Sequence, residues 1–146
     1  MEILPHFWIT HYGTDIYFIK KKKIKNIIHL SKKEPFTKKD DTEEIRIVID
    51  YIDNDSYEHM NNLMFQQLSD ITEYIHDKII NNEKVLLIGY YNKQDIDTII
   101  VAYLLRYGKI TIHDAILFLK TKKADIFSPK CLFYFALNKF YNNLNK

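Results

Sequence analysis

The sequence has few of the residues that cross-link or break a chain. Its 146 residues include three Gly, three Pro and a single Cys, Cys131. One thiol cannot form an internal disulfide, which fits a reducing compartment, and the scarcity of Gly and Pro argues against long disordered linkers. The length suits one domain spanning residues 1–146, and the 47% of apolar residues are enough to fill its core.

Signals for membranes, export, metals and nucleic acids are equally scarce. No apolar run approaches the roughly 18 residues of a transmembrane helix, and the first ten residues do not resemble a signal peptide. The six His show no metal-ligand spacing, and a net charge of +2 is too small to indicate a nucleic-acid binder. We therefore expect a cytoplasmic protein without metal or cofactor that contacts neither membranes nor nucleic acid.

Two basic runs, at residues 20–25 and 32–39, are the main charge features of the chain. We interpret them as solvated faces, with binding of an acidic partner or of nucleic acid as the alternative. An acidic stretch at residues 40–44 directly follows the second run and partly neutralises it.

Hydrophobic periodicity predicts an α/β domain. Short β-branched or alternating runs indicate strands, and apolar residues at three- and four-residue steps indicate helices. The strands are predicted at residues 3–9, 25–30, 44–52 and 85–88, and the helices at 15–23, 57–81, 97–107, 111–122 and 130–142. Gly108 is expected to cap the helix at 97–107, and Thr111 is expected to cap the next one.

A buried strand, a seven-residue loop and a buried helix follow one another at residues 84–105, KVLLIGYYNKQDIDTIIVAYLL. Such a loop makes an anion cradle, because its amides and the helix N-terminus all present N–H groups. The segment resembles, without a gap, the signature of dual-specificity protein phosphatases, Val-Leu-Val-His-Cys-x-x-Gly-x-x-Arg-Ser, followed by a helix ending Ala-Tyr-Leu-Met. Residues 85–87 match the strand of that signature, and residues 102–105 match the helix end.

The resemblance extends over nearly the whole chain. ILPHFWI at 3–9 resembles the family's opening Ile-Leu-Pro-x-Leu-Tyr-Leu, and IKNIIHLS at 24–31 resembles its Ile-x-x-Val-Ile-Asn-Leu-Ser. Residues 112–119 resemble the helix after the signature, and residues 128–140 the closing segment. The resemblance implies a single dual-specificity-phosphatase-like domain, in which helices flank a central, mostly parallel sheet.

The departures from the family fall on its catalytic positions. The nucleophilic Cys aligns with Gly89, which has no side chain to attack phosphorus. The phosphate-binding Arg aligns with Asp95, which offers like charge to a phosphate. A unit charge pair about 4 Å apart is worth roughly 4 kcal/mol at an effective dielectric of about 20, so phosphate binding should be weak. The His before the Cys aligns with Ile88, the loop Gly with Asn92, and the Ser or Thr after the Arg with Ile96.

The family's general acid is an Asp in the loop after the second core strand. Asp53 matches that position best, with Asp50 and Asp55 as alternatives. A solvated acidic turn would explain the same three residues. Without a nucleophile, an acid at this position has no reaction to serve.

The loop after the strand at 85–88 is the candidate binding surface. Tyr90 and Tyr91 are large aromatics at the mouth of the former catalytic pocket, where they either fill it or anchor a partner. Lys93 is the one cation of the loop, and Asn92 tolerates a left-handed backbone. The candidate binding residues are Tyr90, Tyr91, Asn92, Lys93 and Gln94.

We therefore expect a pseudophosphatase, which is not an enzyme but a protein-binding or regulatory module with a host or viral protein as partner. A viral source is suggested by the usage of Ile, Lys, Asn and Tyr and by active relatives in large DNA viruses. Loss of the Arg predicts weak or absent phosphopeptide binding. Three alternatives stay open: a weak phosphosite reader, a structural subunit such as a homodimer, and different chemistry in the same pocket through Lys93, Asp95 or Asp97.

Overall fold

The computed structural model describes residues 1–11, 16–31, 36, 41–48, 56–90 and 92–146. The chain divides into two compact units, each assembled from two separate segments. The first unit consists of Met1–Ile49 and Tyr74–Ile96, and the second of Asp50–Glu73 and Asp97–Lys146. Two helices, Tyr57–Ile80 and Lys93–Tyr107, each contribute residues to both units.

The first unit contains a five-stranded sheet. Its strands are β1 (Glu2–Leu4), β2 (Phe7–His11), β3 (Ile24–Leu30), β4 (Glu43–Arg46) and β5 (Lys84–Gly89). Their order in space is β1-β2-β5-β3-β4, with β1 antiparallel to β2 and the other three neighbouring pairs parallel. Residues 85–89 of the central strand β5 are all buried, as is typical of a strand in the middle of a parallel sheet.

Helix α1 (Ile16–Lys22) belongs to the same unit and packs on the sheet through Ile19, which is fully buried. Apolar side chains of β3 and β5 complete this buried cluster with Ile24, Ile27, Leu86 and Ile88. Trp8, Phe18 and Tyr90 are partly buried and pack against it. The cluster therefore joins α1 and the sheet to the residue that follows β5.

The second unit is built from helices, namely parts of α2 (Tyr57–Ile80) and α3 (Lys93–Tyr107) together with α4 (Ile112–Lys120) and α5 (Tyr134–Leu144). Helix α3 is buried from residue 94 to residue 105, as its apolar sequence predicts. Thr111 caps α4, because its hydroxyl accepts a hydrogen bond from the Asp114 amide. In the described part of the chain, no helix combines the length and the apolarity that a membrane crossing requires.

A buried Asn connects the start of α2 to the start of α5. The Asn61 side-chain amide donates to the Tyr57 carbonyl at 2.9 Å and to the Leu132 carbonyl at 3.0 Å. Its carbonyl oxygen accepts from the Ala136 amide at 2.8 Å. Because Asn61 is only 2% exposed, these bonds replace water for every polar atom of its side chain.

Most predicted elements are confirmed to within about two residues at each end, but two predicted strands are wrong in extent. The strand predicted at 3–9 is the two antiparallel strands β1 and β2, because His6 turns the chain with a φ of 70°. The strand predicted at 44–52 is β4, which ends at Arg46. Residues 49–52 lie outside the described residues.

Two predicted helix starts are also wrong. Helix α3 begins at Lys93 instead of residue 97, and α5 begins at Tyr134 instead of residue 130. Gly108 follows α3 directly, as predicted, but its role is steric. A Cβ at that position would lie 2.6 Å from the Leu104 carbonyl oxygen, and the left-handed residue is Lys109, with a φ of 55°.

Candidate functional site

The segment that the sequence analysis singled out connects β5 to α3. It is shorter than the seven residues predicted, because β5 ends at Gly89 and α3 begins at Lys93. Tyr90 and Asn92 are half-buried, Lys93 is exposed, and residues 94–96 are buried. Four of the five predicted binding residues are thus brought together around the N-terminus of one helix.

The remaining candidate residues of the sequence analysis lie outside the described residues. They are the fifth predicted binding residue, Tyr91, and the three candidate general acids Asp50, Asp53 and Asp55. The expectations for a second aromatic in the loop and for an acid beside it therefore stay predictions.

The space beside Gly89 is occupied by an apolar side chain. A Cβ added at Gly89 would lie 2.8 Å from Cδ1 and 3.0 Å from Cγ1 of Ile96, and 3.7 Å from Nδ1 of His11. Ile96 is fully buried and aligns with the family's Ser or Thr after the Arg. Any side chain at position 89, a cysteine included, would therefore need Ile96 to move.

Asn92 closes the N-terminus of α3. Its side-chain oxygen accepts a hydrogen bond from the Gln94 amide at 2.9 Å, and its carbonyl accepts from the Asp95 amide at 3.1 Å. Capping by Asn explains why the helix begins four residues earlier than predicted. The Asp95 carboxyl lies in the first turn, where the helix dipole favours an acidic group. The amides of Gln94 and Asp95 are thus already engaged by the chain.

A hydrogen-bonded chain of three side chains lies beside this loop and was missed by the sequence analysis. His29 of β3 is 1% exposed, and its Nε2 lies 2.8 Å from Oε1 of Glu44 in β4. On the other side of the ring, Nδ1 lies 3.0 Å from the hydroxyl oxygen of Tyr90. We call this set of Glu44, His29 and Tyr90 the relay.

Aromatic contacts hold the His29 ring in place. The Phe36 ring stacks on it with centroids 5.0 Å apart, and the Tyr90 ring is nearly parallel to it, at 12° and 6.2 Å. Arg46 places its guanidinium 4.9 Å from the Phe36 ring centroid and donates to the Ser31 carbonyl at 3.0 Å. One sequence signal could have indicated the relay: His29 stands in an apolar strand where the resembled family has Asn.

Asp97, a candidate for different chemistry in the same pocket, uses both of its carboxylate oxygens in hydrogen bonds within the second unit. It is 2% exposed, accepts a hydrogen bond from Lys123 Nζ at 2.7 Å, and accepts a second from the Phe127 amide at 3.2 Å. Both of its oxygens therefore hold the segment that precedes α5.

The second unit contains a cavity of about 420 Å³. Three of its seven lining residues are aromatic, and the lining consists of Tyr57, Glu58, Asn61, Cys131, Leu132, Tyr134 and Phe135. Burial raises the pKa of the Cys131 thiol, so the thiol is protonated at neutral pH and is a poor nucleophile. Among the described residues, no group of three His, Cys, Asp or Glu could hold a metal ion.

Comparisons with known proteins connect this architecture to phosphatases. No family model matches the chain. A curated relative, "Putative tyrosine phosphatase 123R" of Invertebrate iridescent virus 6, is 33% identical over 82 residues. That alignment covers 56% of this chain and 57% of the viral protein, so the chain spans little more than half of its relative's length.

Solved structures with the same architecture match the chain almost from end to end. Human DUSP28 has a TM-score of 0.78 at 13% identity, covering 99% of this chain and 96% of its own. The human tyrosine phosphatase-like serine/threonine/tyrosine-interacting protein has a TM-score of 0.77 at 17% identity, covering 99% of this chain and 97% of its own. The chain thus has an α/β fold of the dual-specificity phosphatase type, with a five-stranded, mostly parallel sheet and helices, as the sequence predicted.

Proposed function

We propose that this chain is a pseudophosphatase that binds a protein partner and does not hydrolyse phosphate esters. One observation carries the proposal: the side chain of Ile96 occupies the space that a residue-89 side chain would need, with Cδ1 2.8 Å from the added Cβ. The position aligned with the family's nucleophile therefore lacks the thiol, and a side chain there would have to displace the end of the Ile96 side chain.

The chemistry of the remaining groups supports the same proposal. The one thiol of the chain, Cys131, lines the cavity of the second unit, while the loop belongs to the first. At the position of the family's Arg stands Asp95, which cannot donate a bidentate pair of hydrogen bonds to a phosphoryl group.

The local contacts favour a partner that is recognised without phosphate. The amide of Gln94 donates to the Asn92 side chain, so it is not presented to an incoming anion. Lys93 is exposed and Tyr90 is half-buried, which leaves a cation and part of an aromatic ring for a protein surface. One structural neighbour is itself named as phosphatase-like and as an interacting protein. We place the interaction in the cytoplasm, with a host or viral protein or a second copy of this chain as the partner.

A reversion series tests the loss of activity. We would assay the wild type, Gly89→Cys/Asp95→Arg, and the triple variant that adds Ile96→Thr, all on a small aryl phosphate. The wild type should be silent, and the double variant should be slower than the triple variant, because a cysteine side chain at position 89 would have to displace Ile96. The triple variant should gain turnover, since threonine lacks Cδ1 and is a family residue at that position. Robust turnover by the wild type would sink the proposal.

A peptide titration separates protein binding from phosphosite reading. A phosphotyrosine peptide and its unmodified twin should bind with equal affinity, or not at all, because Asp95 stands at the position of the family's Arg and the amides of Gln94 and Asp95 are already engaged. Tighter binding of the phosphorylated peptide would identify a phosphosite reader instead. Sedimentation of the pure chain at several concentrations tests whether the partner is a second copy.

A further inference from the structure

The relay joins a carboxylate, an imidazole and a phenol end to end. His29 Nε2 lies 2.8 Å from Glu44 Oε1, and His29 Nδ1 lies 3.0 Å from the Tyr90 hydroxyl. The side chains of His29 and Glu44 are 1% and 5% exposed, so both groups are shielded from water. Tyr90 is half-buried and follows directly in the sequence after Gly89, the position aligned with the family's nucleophile.

The direction of the hydrogen bonds follows from the groups themselves. An ionised carboxylate can only accept, so His29 Nε2 carries the proton of that bond. In a neutral imidazole the other nitrogen, Nδ1, is then an acceptor, and the Tyr90 hydroxyl donates to it. Hydroxyl, imidazole and carboxylate therefore stand in the order of a nucleophile, its general base and the group that orients the base.

The base is held rigidly, which is what proton transfer needs. The Phe36 ring stacks on the imidazole at 5.0 Å, and the Tyr90 ring lies nearly parallel to it. A hydroxyl 3.0 Å from the accepting nitrogen is within reach for general-base catalysis.

We propose that Tyr90 is a nucleophile activated by His29 and that it accepts an acyl group from an activated ester. The Tyr90 oxygen forms a bond to the carbonyl carbon, and its proton passes to His29 Nδ1. The bond between the carbonyl carbon and the leaving oxygen breaks, and the proton on His29 passes to that oxygen. The products are an O-acyl-tyrosine at position 90 and the free alcohol or phenol, while Glu44 positions the imidazole throughout.

Residues at the start of α3, just after Tyr90 in the sequence, favour an acyl donor over a phosphoryl donor. Asp95 stands where the resembled family places the Arg that clamps a phosphate, and the Asn92 side chain occupies the amide of Gln94. A phosphoryl group brings negative charge to these residues, whereas an ester carbonyl is neutral. This inference goes beyond the proposed function, because it requires neither a protein partner nor the loss of phosphatase activity.

Acetylation by p-nitrophenyl acetate near pH 7 tests the inference. After a short exposure, peptide mapping by mass spectrometry should find an acetyl group on Tyr90 that hydroxylamine removes. Tyr90 should be labelled at least about 100-fold faster than Tyr17, which is 73% exposed and serves as the internal reference. Cys131, Lys and the N-terminus are mapped in the same digest, so their labelling is counted separately.

Variants assign the roles within the relay. Tyr90→Phe should lose the labelled peptide, and Tyr17→Phe should leave labelling of Tyr90 unchanged. His29→Asn places the residue of the resembled family in β3, so the variant should fold. It should slow labelling about 100-fold and shift it to alkaline pH, where a phenol with a usual pKa of about 10 ionises by itself. Glu44→Gln should also slow the labelling of Tyr90, but it should shift the pH profile of labelling less than His29→Asn does.

Three results would overturn the inference. Tyr90 could be labelled no faster than Tyr17, or equally fast in the folded His29→Asn variant. With p-nitrophenyl phosphate as donor, a phosphate on Tyr90 would show that the relay serves phosphoryl transfer instead. The phosphatase reversion series measures turnover on a different substrate, so the failure of either proposal is distinguishable from failure of the other.

Discussion

At position 89, the absence of a side chain leaves space that the Ile96 side chain occupies. The missing thiol is visible in the sequence, but the residue that fills its place is not, because Ile96 is seven positions away and could have pointed elsewhere. In the structure its Cδ1 would lie 2.8 Å from an added Cβ. Position 96 therefore has to be considered together with position 89 in any attempt to restore chemistry.

A double-mutant cycle measures this coupling. Gly89→Ala should lower the free energy of unfolding by about 1–3 kcal/mol, as other overpacked sites do. Ile96→Val removes Cδ1 and should itself cost about 0.5–1.5 kcal/mol. In the double variant, the effect of Gly89→Ala should be smaller, because Cδ1 is gone while Cγ1 stays at 3.0 Å, giving a coupling of about 0.5 kcal/mol or more. Additive effects in urea unfolding would show that the two side chains do not meet.

The phenol of Tyr74 is predicted to ionise well above the usual range of tyrosine. Burial raises the pKa of its phenol, and a 2.7 Å hydrogen bond to Glu43 raises that pKa further. Folding thus favours the protonated phenol, so this stabilisation is present below the usual pKa of about 10 and is lost at higher pH. When phenolate absorbance is followed with pH, the wild type should show an ionisation step at strongly alkaline pH that is absent from Tyr74→Phe. Glu43→Gln should lower the pKa of Tyr74 only in part, because burial raises this pKa more than the hydrogen bond to Glu43 does.

At the scale of single elements, hydrophobic periodicity predicted the presence of helices and strands better than it predicted where they begin and end. The stripe of α2 and the apolar run of α3 were readable because a buried helix repeats every three or four residues. The start of α3 was not, because the cap at Asn92 lies among residues that also suit a loop. Likewise, the β1–β2 turn depends on the left-handed φ of His6, a residue that carries no strong turn signal.

Asn61 should be the most sensitive polar residue of the second unit. Asn61→Ala would remove the hydrogen bonds to the Leu132 carbonyl and to the buried Ala136 amide, and a buried amide that loses its partner costs about 1–3 kcal/mol. We expect a loss of about 3 kcal/mol in urea unfolding. Asn81→Ala is the matched control, because exposed Asn81 also donates to the carbonyl four residues earlier. Equal effects of the two substitutions would contradict this role of Asn61.

At the scale of the whole molecule, the resemblance to a family predicted the fold, and local patterns predicted only its pieces. Apolar strands such as 25–30 and 85–88 carry no mark of their neighbours, so the order β1-β2-β5-β3-β4 could not be derived from periodicity. The relay was hidden for the same reason. His29, Glu44 and Tyr90 are distant in sequence and meet only because the sheet brings their strands together.

The central position of β5 predicts that the sheet cannot form without it. A fragment of residues 1–83 keeps four strands but only the β1–β2 and β3–β4 pairs, which should be marginal on their own. Circular dichroism should show little sheet in this fragment, and adding the fragment 84–146 should restore the spectrum of the full chain. A native-like sheet signal from 1–83 alone would contradict the prediction.

The same strand order has a consequence for the chain as it is made on the ribosome. β5 lies between β2 and β3 but is synthesised long after both. At about 5–20 residues per second, roughly 3–11 s pass between the synthesis of Leu30 and that of Lys84. During that time, β2 and β3 each keep the edge that β5 will cover unpaired, and such edges invite pairing with other chains. A nascent chain of this protein should therefore depend on chaperones most in the interval that ends when β5 emerges.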